Sequence, residues 1–361
     1  MEAVRFGIIG CGVIGRRHAQ AVAESTSCVL QAVADLRADV AQEIGTQYGA
    51  AKIYHDSESL LADEAIEAVV LAMPACYRKS LALQALAQGK HVLTEKPVAM
   101  NGAEVQELMA AQENLARNNS TQNKLIVACC SSRYQFLNAT NQVTDFLASG
   151  ALGGLRMVRC RAINAAGPPP KNPPPAWRLN RSLNAGGIMS NWGCYDLDYL
   201  LGITGWVLEP QLVLAQTWTV PSPFSAYAAP DSDAETHVTA LIRCGDGITI
   251  SYERAEFVAA QREFAWEIIG EEGSLRLQMT PHSDGKHIHF RADATDGTHS
   301  EVLCDANEDH QMVHTGPSAD LAQAIRTGKR PQTDLARSLV IQQITDAIYQ
   351  SAEQGAAVSI T

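Results

Sequence analysis

The sequence predicts an α/β protein of two domains, a doubly wound parallel sheet followed by a mainly antiparallel one. Three observations carry that reading. From residue 4 to about 150, short β-branched runs alternate with amphipathic helical stretches, which is how βαβ units appear in a sequence. Beyond Gly150, Gly153 and Gly154 the runs lengthen, alternate with period two and meet at tight glycine turns. The chain of 361 residues also exceeds a comfortable single core.

In the first part the expected strands are Val4 to Ile9, Cys28 to Ala34, Ala68 to Met73, His91 to Glu95 and Leu125 to Cys130. Val105, Leu108, Met109, Leu115 and Ala116 fall at helical spacing and give one apolar face to lay on the sheet. In the second part Thr236 to Cys244 and Ile248 to Phe257 form a hairpin through Gly245-Asp246-Gly247. Phe264 to Ile269 returns through Leu275 and Leu277 after Glu271-Glu272-Gly273. One helix, from about Trp192 to Leu201, interrupts this region. Pro168-Pro169-Pro170-Lys171-Asn172-Pro173-Pro174-Pro175 is a stiff extended loop, because proline lacks the amide donor and fixes φ. Leu335, Ile341, Ile344 and Ile348 mark a long helix returning to the first domain. The expected domains are therefore residues 1–132, 133–316 and a helical C-terminal segment, 317–361, on the first.

A formal net charge of −11 argues against nucleic acid or an anionic membrane surface as partner, since either would want a basic face. The nine cysteines include no CxxC pair, so neither disulfide nor metal is expected and a reducing compartment is. The N-terminus, with Glu2 and Arg5 and a short apolar run, does not read as a signal peptide, and no run approaches the roughly 20 apolar residues of a membrane span. A cytoplasmic protein acting on a small molecule is the expectation.

Gly10-Cys11-Gly12-Val13-Ile14-Gly15 follows the first strand and opens a helix. In that context GxGxxG is a dinucleotide fingerprint: Gly10 allows the tight turn, Gly12 the close approach of backbone to pyrophosphate, and Gly15 the packing of helix on strand. The phosphates would meet free amides at the positive helix end. Asp35, at the end of the second strand, is placed to accept from both adenosine-ribose hydroxyls, which favours NAD. Arg37, which could cover the adenine, reach a 2′-phosphate or simply face solvent, leaves NADP open.

At Gly89-Lys90-His91-Val92-Leu93-Thr94-Glu95-Lys96-Pro97 the chain resembles the glucose-fructose oxidoreductase and inositol dehydrogenase family, Gfo/Idh/MocA. The likeness continues through Trp177-Arg178, Gly186-Gly187, Tyr195-Asp196-Leu197-Asp198, Gly270 to Leu275 and Ala347 to Ala352. It implies a Rossmann domain followed by an α/β domain with a large, mainly antiparallel open sheet, whose open face would make a homodimer or homotetramer. Members mostly transfer hydride to or from a secondary alcohol of a sugar, polyol or related ring.

The resemblance implies that Lys96 holds the reacting hydroxyl and stabilises alkoxide-like charge. Glu95, Lys96 and the Met73-Pro74 turn join the glycine loop, with Val13 and Ile14, at the cofactor. Where the family usually has aspartate and histidine on one helix face, this chain has Asn191 and Tyr195. Tyr195 can serve as acid/base, its phenol favoured toward ionisation by a nearby ammonium, whereas Asn191 can orient substrate but carry no charge. Asp196 and Asp198 point elsewhere and read as structural or surface groups. Arg78, Arg133, Arg178 and Arg181 are candidates to line the substrate cleft, fitting an anionic or heavily hydroxylated substrate, and Trp177 offers a flat face to a sugar ring. The readings in competition are an NAD(H)-dependent sugar or polyol oxidoreductase, a redox-neutral glycoside-cleaving enzyme that keeps its NAD, and a non-catalytic NAD or ligand sensor.

Overall fold

The computed structural model describes residues 2–118, 124–172, 174–281, 285–293, 297–308 and 311–361. The chain divides into two compact units, Met1–Arg133 with Gln311–Val340, and Tyr134–His310 with Ile341–Thr361.

The first unit is built on a parallel sheet of β1 (Val4–Ile9), β2 (Cys28–Ala34), β3 (Lys52–Tyr54), β4 (Ala68–Leu71), β5 (His91–Thr94) and β6 (Val127–Cys129), in the order β3-β2-β1-β4-β5-β6. This is the doubly wound order in which the chain reverses direction beside β1. Alternate strand residues face opposite layers, and both are dry. Phe6, Ile8, Val70 and Leu93 pack with Ala19 and Val22 of α1 (Val13–Glu24). On the other side Val69, Leu71 and Val92 pack with Ala82 and Leu86, and with Val105 and Leu108. Those four belong to helices whose places in the chain follow α2 (Ala38–Tyr48) and α3 (Ser57–Leu61): α4 (Ala75–Ala87) and α5 (Gly102–Asn118). Burial on both faces explains the near-continuous apolar runs of β1, β4 and β5. β1 and β2 have the expected bounds. The strands expected to reach Met73, Glu95 and Cys130 end one or two residues earlier, leaving those residues in the loops beyond the sheet. β3 was not expected, because three residues are too few to display a period.

The second unit begins with α6 (Asn138–Ala148) and β7 (Leu155–Ala165); α7 (Arg181–Asn184), a π turn over Met189–Gly193 and α8 (Cys194–Ile203) follow. The remaining strands are β8 (Pro210–Trp218), β9 (His237–Cys244), β10 (Thr249–Val258), β11 (Glu263–Gly270), β12 (Gly273–Leu277), β13 (Lys286–Asp293), β14 (Gly297–Asp305) and β15 (Val358–Ser359). They form one sheet in the order β14-β13-β12-β11-β7-β10-β9-β8-β15, antiparallel except for the central β7–β10 pair. Both expected hairpins are present, as β9–β10 and β11–β12. β7, β8, β13 and β14 were not expected, because each mixes polar or charged residues with apolar ones.

α8 is buried along its whole length, so it shows no amphipathic stripe. Its Asp196 is fully buried and accepts from Tyr252 Oη at 3.0 Å, Arg254 Nη1 at 3.1 Å and Trp266 Nε1 at 3.1 Å. Tyr252 and Trp266 stand in register either side of Cys160 on β7, so one carboxylate fastens α8 to the two strands that flank β7. Asp198 is equally buried, and the Gln135 side-chain amide donates to its carbonyl at 2.7 Å. Both aspartates are structural, and neither is on the surface.

Two helices close the chain, α9 (Met312–Thr327) and α10 (Leu335–Gln354). The expectation that all of 317–361 returns to the first unit needs correction. α9 packs on α1, but the chain from Ile341 onward belongs to the second unit, where β15 pairs with β8 and Ser351 Oγ accepts from the Ala215 amide at 2.9 Å. Ile341, Ile344 and Ile348 gave the correct helix but not the layer it covers. The described part of the proline-rich segment has neither helix nor strand, Pro173 lying outside the described residues. Among the described residues no helix is long and apolar enough to cross a membrane.

Asp196→Ala is expected to destabilise the protein by about 3–5 kcal/mol, because it strands the Arg254 charge inside the sheet. Chemical denaturation checks this, and a loss below about 1 kcal/mol would show that the carboxylate does not hold α8.

Candidate functional site

The glycine loop is constrained by space at two of its three positions. Gly10 has φ +92°, and a Cβ there would lie 2.6 Å from the Ala72 carbonyl oxygen; at Gly15 it would lie 1.8 Å from the Gly10 carbonyl oxygen. Gly12 has nothing within 4 Å, so its side is open to a ligand. It caps α1 with no side-chain hydrogen bond, and the first turn holds no acidic residue, which leaves the helix amides for an anion. Val13 is almost wholly exposed beside them.

Asp35 stands just beyond β2. One carboxylate oxygen accepts from the Cys11 amide at 2.8 Å and the other from the Arg37 amide at 2.9 Å, with Arg37 Nε at 3.4 Å. Burial and the Asp35 charge together push the Cys11 thiol up to about 12, so it stays protonated. A cavity of about 580 Å³ opens beside Gly10 and Asp35, walled by Arg37, Met73, Pro74 and Tyr77. Each carboxylate oxygen keeps lone-pair capacity for a ribose hydroxyl. The free glycine side, the uncapped helix and this cavity fit a dinucleotide, whose pyrophosphate Gly10, Gly12 and Gly15 would hold and whose ribose Asp35 would meet.

At the end of β5 the Glu95 carboxylate is buried. Oε1 accepts from His18 Nε2 at 2.8 Å and forms an ion pair with Arg133, while Oε2 accepts from the Lys96 amide at 3.2 Å. Burial alone would raise this carboxyl, but the Arg133 guanidinium and the His18 hydrogen bond outweigh it and hold the group well below the usual carboxylate range. Cys130 Sγ completes a compact buried cluster with His18 and Glu95. The sequence placed Glu95 at the cofactor. The structure spends its oxygens on tying α1, β5 and the turn after β6 together and on holding the backbone of Lys96, which is partly exposed.

In the second unit Asn191 lies in the π turn and Tyr195 in the first turn of α8. Single π turns are common at functional sites. This one is held from below: the buried Glu235 carboxylate accepts from the Gly187 and Met189 amides at 3.0 Å and from Tyr349 Oη at 2.9 Å. A Cβ would strike the Glu235 carbonyl oxygen from Gly187 and the Tyr349 hydroxyl from Gly186, each at 1.8 Å. That explains the glycine pair. The Tyr195 ring meets Tyr134 and Trp192 edge to face, with centroids 5.5 and 5.7 Å away.

The candidate arginines are largely engaged. Arg78 is buried and donates to the Met73 carbonyl at 2.8 Å and to the Pro97 carbonyl, bracing two loops. Arg133 pairs with Glu95. Arg178 donates to Glu256 at 2.7 Å, and Arg181 lies over the Tyr349 ring and 3.6 Å from Glu353. Trp177 is half-exposed.

Residues 4–121 match the profile of an oxidoreductase family with an NAD-binding Rossmann fold, and residues 140–276 match that of the GFO/IDH/MocA C-terminal domain. The chain belongs to the GFO/IDH/MocA oxidoreductase family. As a member it is an NAD-binding oxidoreductase. It is 23% identical to a levoglucosan dehydrogenase of Pseudarthrobacter phenanthrenivorans over 88% of this chain and 82% of the relative. It is also 23% identical to a D-glucoside 3-dehydrogenase of Escherichia coli, over 99% and 97%. Among solved structures, levoglucosan dehydrogenase in complex with NADH superposes with a TM-score of 0.82 at 20% identity over the whole of both chains, a likeness of fold.

Sequence reading missed His18, Glu235 and Tyr349. His18 had a faint signal: it falls on the buried stripe of α1 with Gly15, Ala19 and Val22, where an imidazole requires a partner. Glu235 and Tyr349 had none, since Glu235 is matched by backbone amides far along the chain and Tyr349 by the Glu235 carboxylate itself.

With Asp35 at the ribose position, kcat/KM with NAD is expected to exceed that with NADP by at least about tenfold, because a 2′-phosphate would face the carboxylate. Steady-state kinetics with both cofactors checks this, and an advantage for NADP would reverse the assignment.

Proposed function

We propose that this enzyme transfers hydride between NAD(H) and a secondary alcohol of an uncharged sugar, polyol or sugar-derived ring, with Lys96 and Tyr195 handling the hydroxyl proton and Asn191 orienting the substrate. The first unit would hold the cofactor and the second the substrate. The observation that carries the reading is the placement of Lys96, at the carboxyl end of a parallel strand, with its amide held by the buried Glu95. Relatives named for sugar, glucoside and inositol dehydrogenation support the substrate class. Engagement of the candidate arginines by carboxylates, carbonyls or an aromatic ring favours a neutral substrate over an anionic one.

When bound, the nicotinamide accepts or returns the hydride. The rest is work for the chain. The Lys96 ammonium donates to the reacting oxygen and stabilises the negative charge it gains as its carbon is oxidised. Tyr195 receives the hydroxyl proton in oxidation when it starts as the phenolate and returns it from the neutral phenol in reduction, while the Asn191 amide fixes the ring by hydrogen bonds. The nine free thiols suit a cytoplasmic enzyme. A homodimer or homotetramer through the open sheet face is part of the proposal: there Leu214 and Leu241 stand opposite each other, half-exposed.

With a panel of neutral sugars and NAD, the protein is expected to generate NADH. Lys96→Ala should cut kcat by about a hundredfold to a thousandfold while NAD affinity is unchanged. Undiminished turnover in that variant would remove Lys96 from the reaction.

A further inference from the structure

Three unusual features meet at the end of β10. Phe257 has φ +60° at a bulge where the register with β7 shifts between Glu256 and Val258. A bulky side chain holds that conformation only where its surroundings impose it. Tyr227 stacks on the Phe257 ring at 4.5 Å, the Arg178 guanidinium lies 5.4 Å from its centroid, and Tyr227 Oη donates to the Pro168 carbonyl at 2.6 Å, which pins the proline-rich loop.

The second feature is Glu256 itself. It is 4% exposed; Oε2 accepts from Arg178, and Oε1 has no hydrogen-bond partner. The third is Thr236, fully buried, whose carbonyl accepts from the Glu256 amide at 2.8 Å and whose Oγ1 also has no partner. Buried polar atoms are nearly always satisfied, so two adjoining unsatisfied ones call for an explanation. Their neighbours supply it. Thr236 follows Glu235, which holds the amides at the start of the Asn191 turn. Arg254, two residues before Glu256, lies 4.5 Å from the Trp192 centroid. The cluster therefore borders the turn that carries Asn191, behind an arginine side chain that is 32% exposed.

We infer that Arg178, Glu256 and Thr236 form a subsite for sugar hydroxyls remote from the reacting carbon. A pair of neighbouring hydroxyls is held there by the guanidinium fork and the free carboxylate oxygen. The inference rests on the proposed reaction and deepens it by naming what discriminates one sugar from another. The paired charges cancel, so the subsite suits an uncharged polyol. Glu256 also positions Arg178, which without it would turn toward solvent.

The experiment measures NAD-dependent oxidation of the best panel sugar and its monodeoxy series by the unsubstituted enzyme and by Glu256→Gln. The unsubstituted enzyme is expected to lose about a hundredfold or more in kcat/KM at one or two deoxy positions. In Glu256→Gln the KM of the parent sugar should rise about tenfold, with kcat and NADH binding little changed, and the penalty at those positions should largely vanish. A structural weakening alone would scale all sugars together, so a variant that keeps the original deoxy pattern overturns the inference even if its KM rises. Failure of the unsubstituted enzyme to oxidise any sugar would overturn the proposed reaction and this subsite together. Turnover with an unaltered deoxy pattern overturns the subsite alone.

Discussion

A carboxylate taken out of water must be matched by charge and hydrogen bonds or it will not stay ionised. Glu95 meets that requirement with groups from three places, His18 on α1, Arg133 after β6 and the backbone of its own neighbour Lys96. Because each partner comes from a different element, satisfying the one charge fixes all of them. The start of α1, where the dinucleotide phosphates belong, and the backbone of the lysine that would meet the substrate are thereby set relative to one carboxylate. The glycine loop needs this support, since Gly10 and Gly15 bring backbone within distances that tolerate no side chain and little drift.

The second unit repeats the device. Asp196 gathers three donors from two strands and so fixes α8. Glu235 gathers the Gly187 and Met189 amides and the Tyr349 hydroxyl and so fixes the turn before it. Asn191 and Tyr195 sit on the piece of chain between these two anchors. Asn191 brings no charge to the partly exposed side of that turn, which the buried carboxylates shape.

Local pattern made the first sheet legible. β1 and β2 were bounded correctly because strands buried on both faces leave long apolar runs, and GxGxxG was convincing because it lay between strand and helix. Glu-Lys-Pro announced a family without revealing why its glutamate is there. That reason is spread over His18, Glu95 and Arg133, residues far apart in the chain whose relation is purely tertiary. Asp196 illustrates the same limit: on a helical wheel it points away from Tyr195, but nothing local shows that the far side of the helix is a sheet. The C-terminal segment was assigned as one block because periodicity measures how apolar a helix face is and is silent about which layer it covers. The arginines looked like ligands for an anionic or heavily hydroxylated substrate, and their carboxylate, carbonyl and aromatic partners could be seen only in three dimensions.

The central claim is that the buried Glu95 charge sets Lys96 for proton handling during hydride transfer. Single-turnover oxidation of a sugar by Glu95→Gln, followed at the NADH wavelength, tests it directly. The account predicts a hydride-transfer step slowed by about a hundredfold, since misplacing a catalytic group by about 1 Å costs that much, with the rate read at saturating NAD so that any loosening of the glycine loop does not enter it. An unchanged hydride-transfer rate would contradict it.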